Sequence, residues 1–205
     1  MKISEIHEKK RPVLSFEIFP PKHGTALQDI DDTLAVLSEL KPDFISVTFG
    51  AGGSSNNNRT IELAKKIKNE YHIEPVVHLT CLTYTKAESD EFSQALLEND
   101  LKNVLALRGD RNPDNQPKED FQHAAELTAY LKTKGDFCVG GACYPECHPE
   151  SINRVSEMRH LKEKVKAGDE FLLSQLFFDT ICFILFWKIA GLPEWRSPLF
   201  PVSCR

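Results

Sequence analysis

The chain has 205 residues, 41% hydrophobic and 27% charged, with a formal net charge of −5. A chain of this size buries about 70% of its open surface, enough for one real core, and its composition excludes a disordered tail, a collagen and a coiled coil. The acidic balance, without any block of five like charges, argues against binding nucleic acid through its phosphates.

Residues 1–11 are polar and charged and contain no apolar stretch of signal-peptide length, which points to the cytoplasm. A first strand is predicted over 13–19 (VLSFEIF), then a helix over 28–40 with Ile30, Leu34, Leu37 and Leu40 on one face. A second strand, 43–49 (DFISVTF), runs into a glycine-rich loop at 50–54 and a helix over 59–71 striped by Ile61, Ala64, Ile67 and Tyr71. The third strand is 75–81 (PVVHLTC), followed by a helix over 86–98 with Phe92, Leu96 and Leu97. The fourth is 103–107 (NVLAL), followed by a helix over 119–132 carrying Phe121, Ala124, Leu127 and Leu131. The fifth is 137–143 (FCVGGAC), followed by a helix over 151–167 with Ile152, Val155, Met158, Leu161 and Val165. The sixth is 170–177 (EFLLSQLF). Gly135 and Gly168 suit helix C-caps.

From Thr180 the pattern stops. An apolar burst at 181–187 is followed by Pro193, Pro198 and Pro201, with no amphipathic stripe. The burst is far shorter than the ~20 residues a membrane span needs, so no membrane partner is expected.

Strand and helix alternate at intervals of about 30 residues, the pattern of βα units around a parallel sheet. The strands lack strict alternation and read as apolar on both faces. Polar groups gather in or just beyond the C-terminal half of every strand: Glu17, Thr48, His78, Arg108-Gly109-Asp110, Tyr144 to His148, and Gln175. A (β/α)8 barrel builds its site there, from several strand ends, whereas an open sheet concentrates it at one switch point. The expected fold is therefore α/β: an incomplete (β/α)8 TIM barrel of about six units, one domain over 1–205 with a divergent tail at 180–205.

Six cysteines without a CxxC pair read as reduced packing residues. His78, Cys81, Cys143 and His148 leave open a metal-dependent barrel hydrolase as an alternative, but they lack the two tight ligand pairs of a structural zinc site, and no metal is expected. Taken singly, His78 suits a core histidine, Lys164 a solvated lysine and Asp110 a helix-capping loop residue. Glu17, between Phe16 and Ile18, is placed to have its ionised form disfavoured by desolvation.

In order along the chain, SFEIFPPK (15–22), SVTFGAGGS (46–54), HLTC (78–81), LALRGD (105–110), YPECHPE (144–150) and SQLFFD (174–179) resemble the motif series of bacterial methylenetetrahydrofolate reductases. The resemblance implies a (β/α)8 barrel holding FAD. It implies reduction of 5,10-methylenetetrahydrofolate to 5-methyltetrahydrofolate with NADH or NADPH by ping-pong hydride transfer, feeding methionine synthesis. It makes Glu17 the general acid, Asp110 a catalytic carboxylate near flavin and folate, and Gln175 a folate contact. It makes Thr48, His78, Leu107, Arg108, Gly109, Asp110, Tyr144, His148 and Lys164 contacts of FAD. Glu157, His160 and Glu163 stand where the family pattern has Asp, Asn and Arg. The family continues beyond SQLFFD with further βα units, whereas here the pattern dissolves. A truncated or frame-shifted chain, and a non-catalytic fragment, are thus the alternatives to an active enzyme. Small-molecule substrates are the expected partners, and a homo-oligomer is left open.

Overall fold

Among the described residues, seven parallel strands stand side by side in chain order. They are β1 (Ser15–Ile18), β2 (Phe44–Val47), β3 (Glu74–Thr80), β4 (Asn103–Leu107), β5 (Cys138–Cys143), β6 (Phe171–Ser174) and β7 (Leu199–Phe200). Helices α1 (Ile3–Lys9), α2 (Asp31–Glu39), α3 (Ser54–Asn69), α4 (Lys86–Glu98), α5 (Ala124–Lys132), α6 (Arg154–Ala167) and α7 (Thr180–Ala190) lead into or connect them. This computed structural model describes residues 1–9, 12–20, 30–48, 54–110, 116–191 and 199–201. Residues 50–53 of the glycine-rich loop, the start of the helix predicted from 28, Lys22 of the first motif and Cys204 lie outside the described residues.

Successive side chains of a strand point to opposite faces, so each strand contributes to two cores. Ile45, Val47, Val77, Leu79, Val104, Ala106 and Val139 face outward and pack with α2 to α5. Phe44, Val76, Leu105, Cys138, Phe171, Leu173 and Phe200 face inward. In a flat sheet β2 and β7 would lie five strand spacings apart, about 24 Å. Instead the rings of Phe44 and Phe200 meet edge to face at 5.4 Å, and Phe200 lies 6.2 Å from Phe171. The sheet has curled into the wall of an incomplete (β/α)8 barrel, with β1 and β7 its outer strands among the described residues.

The polar and charged beginning of the chain supplies the barrel floor through α1. Ile3 and Ile6 are spaced three apart, so α1 presents both to the inner core, where they are 0% and 3% exposed. The Ile3 amide donates to Asn103 Oδ1 at 3.0 Å, Lys2 pairs with Asp136 at 2.6 Å, and the Ser4 hydroxyl donates to Glu170 at 3.2 Å. These ties bind α1 to the beginnings of β4, β5 and β6.

The connecting helices start and stop where local chemistry allows. Thr85 and Glu88 form a capping box on α4, and Asn153 with Ser156 forms one on α6. Gly168 ends α6 in the left-handed conformation, as expected (φ +119°). Gly135 does not cap α5, which stops earlier at Lys132 with Thr133 as its C-cap.

The tail also departs from expectation. Asp179 accepts hydrogen bonds from the Ile181 and Cys182 amides and starts α7, and Gly191 ends it at φ +65°. Its sequence shows no stripe because apolar residues surround the helix. Phe186 and Ala190, four apart, pack on the outer face of the sheet with Leu172 and Leu199, while Ile181 is 68% exposed. β7 then pairs with β6 through Leu172↔Leu199 and Leu173↔Phe200, adding a seventh strand to the expected six. No described helix is long and apolar enough to cross a membrane.

Candidate functional site

The same alternation that seals the floor makes the mouth polar. Two residues beyond Phe44 on its face is Ser46, and two beyond that Thr48. Two beyond Val76 is His78, and two beyond Leu173 is Gln175. Glu17 lies opposite Ser46 in the β1–β2 register, and its neighbour Ile18 packs outward, so Glu17 faces the lumen.

Glu17 remains open to solvent on the β1 side, yet the surrounding wall raises its carboxyl above the ordinary range, against a hydrogen bond from Ser46 that lowers it. Ser46 is in turn 2.8 Å from His78, through Oγ and Nε2. Burial pushes the His78 imidazole down to about 4, so the ring is neutral at physiological pH. Thr48 is buried, and its Oγ1 has no hydrogen-bond partner among the described residues.

On the opposite wall, Leu107 closes β4 and packs partly buried on the inner core. Arg108 forms a two-pronged pair with Glu150, at 2.7 and 2.9 Å, which holds its guanidinium firmly charged. Gly109 adopts φ +84°, and a Cβ there would come within 3.1 Å of Thr80 Cβ, so glycine is the residue that fits. The Tyr144 and His148 rings meet edge to face at 4.7 Å. Lys164 donates to the Ala142 carbonyl at 2.7 Å and lies 5.9 Å from the Tyr144 ring. Burial lowers the Lys164 ammonium, opposed by nearby Asp169 and Glu157.

Two adjoining clefts collect these groups. One, of about 290 Å³, is lined by Leu107, Arg108, Tyr144, His148 and Lys164, with Glu157, His160 and Glu163 along α6. The other, of about 380 Å³, is lined by Asp110 and Gln175 and shares Tyr144 and His148 with the first. Asp110 and Gln175 are thus brought together. Glu17 opens at the same end of the barrel but lines neither cleft.

Several residues escaped the sequence reading. Glu150, the partner of Arg108, sits inside the YPECHPE motif. Ser46 was legible as the cross-strand neighbour of Glu17 once the inward parity of β2 is known. Asp169, 4% exposed, accepts from the Thr128 hydroxyl at 2.9 Å, and burial pushes its carboxyl up to about 7. A Cβ on Gly141 would lie 2.0 Å from Asp169 Oδ2, so this carboxyl occupies the space a side chain would need.

The metal alternative fails on parity. Cys81 and Cys143 face outward, their thiols pushed up to about 12 by burial, whereas His78 faces the lumen. Among the described residues no three His, Cys, Asp or Glu side chains gather to hold a metal. The five described cysteines are free.

The family model for methylenetetrahydrofolate reductase matches residues 2–201. The chain belongs to the methylenetetrahydrofolate reductase family. That match reaches through α7 to the end of β7, so the tail is covered along with the six motifs. The 5,10-methylenetetrahydrofolate reductase of Pectobacterium carotovorum is 37% identical over 173 residues, 84% of this chain and 57% of that protein. The reductase of Escherichia coli is 36% identical over the same shares. The chain thus spans somewhat over half the length of these relatives. Among solved structures, a Clostridium thermocellum protein described as binding two copies of 5-methyl-5,6,7,8-tetrahydrofolic acid superposes with a TM-score of 0.63. It is 11% identical, covering 98% of this chain and 69% of its own, so that likeness speaks for the fold alone.

Proposed function

We propose that this chain forms most of the catalytic barrel of a flavin-dependent enzyme that reduces 5,10-methylenetetrahydrofolate to 5-methyltetrahydrofolate. NADH or NADPH supplies two electrons. The methylene carbon gains a hydride and the departing ring nitrogen gains a proton. The cycle is ping-pong, the oxidised nicotinamide leaving before folate enters. The setting is the cytoplasm, and the product feeds methionine synthesis. The observation that carries this reading is the shared mouth: Asp110 and Gln175 line a cleft that adjoins the one holding Arg108, Tyr144, His148 and Lys164.

The residues present fit FAD. The unpartnered Thr48 hydroxyl is a buried polar group that a ligand would satisfy. Arg108 and Lys164, which line the cleft along α6, offer positive charge for a diphosphate. Glu157 is already engaged by the Ser151 hydroxyl and the His148 amide. Bound FAD supplies hydride chemistry that no side chain here can perform. Glu17 holds a proton for the substrate nitrogen that leaves as the imidazolidine ring opens. Asp110 offers a carboxylate to the cation that results, and Gln175 hydrogen-bonds the pterin.

The test is a titration with FAD followed by flavin fluorescence, and then the two half-reactions measured separately. Glu17→Gln is expected to keep NADH oxidation with an artificial acceptor and to lose folate reduction by about 100-fold or more. Equal loss of both would remove Glu17 from the acid's role, and absence of FAD binding would overturn the flavin reading. The outer strands β1 and β7 and the apolar exterior of α7 favour one second reading, a non-catalytic fragment, which a colourless and polydisperse product would support.

A further inference from the structure

We infer that Ser46 and His78 form a hydrogen-bonded chain behind Glu17 that serves both of its protonation states, and so act as positioning residues for the acid. The inference rests on the role proposed for Glu17, and concerns how that carboxyl is held.

Three consecutive strands supply the three groups. Glu17 on β1 lies opposite Ser46 on β2, whose hydroxyl is placed to donate to the Glu17 carboxylate and lower it. Ser46 lies opposite Val76 on β3, two residues before His78, and its Oγ is 2.8 Å from His78 Nε2. Ser46 and His78 are 2% and 5% exposed, so water cannot readily replace the contact between them.

A hydroxyl carries one proton and accepts through two lone pairs. When Glu17 is ionised, Ser46 donates to it, and His78 must then donate to Ser46 through a proton on Nε2. When Glu17 is protonated it can donate to Ser46, and Ser46 then donates to a bare Nε2, which puts the ring proton on Nδ1. In both arrangements the two contacts along the chain are satisfied, and they differ only in hydroxyl rotation and imidazole tautomer. A histidinium would break this symmetry, since it donates from both nitrogens. The burial that holds His78 neutral is therefore part of the device. Among the described residues, burial and the Ser46 hydrogen bond are the influences that shift the Glu17 carboxyl, and His78 is the titratable group behind Ser46.

The test needs neither flavin nor turnover. Carbon-13 NMR follows the Glu17 carboxyl through a pH titration of the unmodified chain, while nitrogen-15 NMR follows His78. The His78 shifts are expected to move from an Nε2–H to an Nδ1–H pattern as Glu17 takes up its proton, with no proton gained by the ring. A tautomer that stays fixed through that titration overturns the proposal. Ser46→Ala removes the bond to the ionised carboxyl and is expected to move the Glu17 midpoint upward by about one pH unit. Ser46→Thr, which keeps the hydroxyl, restores it. An unmoved midpoint in Ser46→Ala also overturns the chain. Should Glu17→Gln impair both half-reactions equally while the His78 tautomer tracks Glu17, the chain stands and the assignment of the acid falls.

Discussion

The floor and the mouth of the lumen are built from the same strands and are chemically opposite. At the floor Phe44, Val76, Phe171 and Phe200 close on Ile3 and Ile6 from α1. At the mouth Glu17, Ser46, Thr48 and His78 occupy the same inner face. The change from one to the other takes two residues along β2 or β3, about 7 Å. Polar groups taken out of water cost stability unless they are bonded, and Thr48 has no partner among the described residues. The comparison teaches that apolar packing at the floor offsets what the mouth costs, so stability and chemistry are divided along each strand.

The largest expected effect is at the floor. Phe171 is 0% exposed, packs on the Phe200 ring, and lies so close to Gly140 that a Cβ there would meet it at 2.4 Å. Phe171→Ala is expected to cost about 3–5 kcal/mol in urea unfolding. A loss below about 1 kcal/mol would show that the floor is not the anchor.

The second prediction concerns buried titrating groups on the two sides of the sheet. Asp169 holds its proton up to about 7 in the folded chain, against an ordinary value near 3.8. Between those values the unfolded chain has lost that proton and the folded one keeps it. The stability Asp169 contributes is complete below about pH 4 and is lost as pH rises to about 7. His78 has the reverse sign: neutral down to about 4 when folded and 6.5 ordinarily, it loses stability as pH falls from 6.5 towards 4. The two oppose each other over most of one window. Asp169→Asn removes one of them, so its stability relative to the parent is expected to rise between pH 4 and pH 7 by about 3–4 kcal/mol. A difference that stays constant across that range would mean Asp169 is ionised throughout.

The division between floor and mouth was only half legible in the sequence. Spacing and strand-end chemistry gave the barrel, and α4 and β4 fall at their expected limits. The reading of the strands as apolar on both faces hid the parity that separates Phe44 from Ser46. α1 was missed because its apolar stripe is only two residues long and gains its meaning from β4, β5 and β6, which lie far along the chain. α7 was missed because a helix clothed in apolar residues has no periodic contrast, and its start depends on a single capping carboxylate at Asp179. Motif order brought Asp110 and Gln175 together in advance. Asp169 and Glu150 were not foreseen, since their partners Thr128 and Arg108 are 41 and 42 residues away.

The smallest effect tests how the floor is fastened. Asn103, 1% exposed at the start of β4, accepts from the Ile3 amide and donates to the Met1 carbonyl, both at 3.0 Å. Asn103→Ala leaves a buried amide unpaired and is expected to cost about 1–3 kcal/mol. Because α1 packs on the lumen from below, without joining the sheet, the loss should appear first as local opening. Amide exchange at Ile3 and Ile6 is expected to accelerate by 10-fold or more, at about 1.4 kcal/mol per tenfold, while exchange at Val77 and Val104 changes less. Equal acceleration at all four would mean that α1 and the strands open as one unit, and that the floor is an integral part of the wall, not a plug inserted into it.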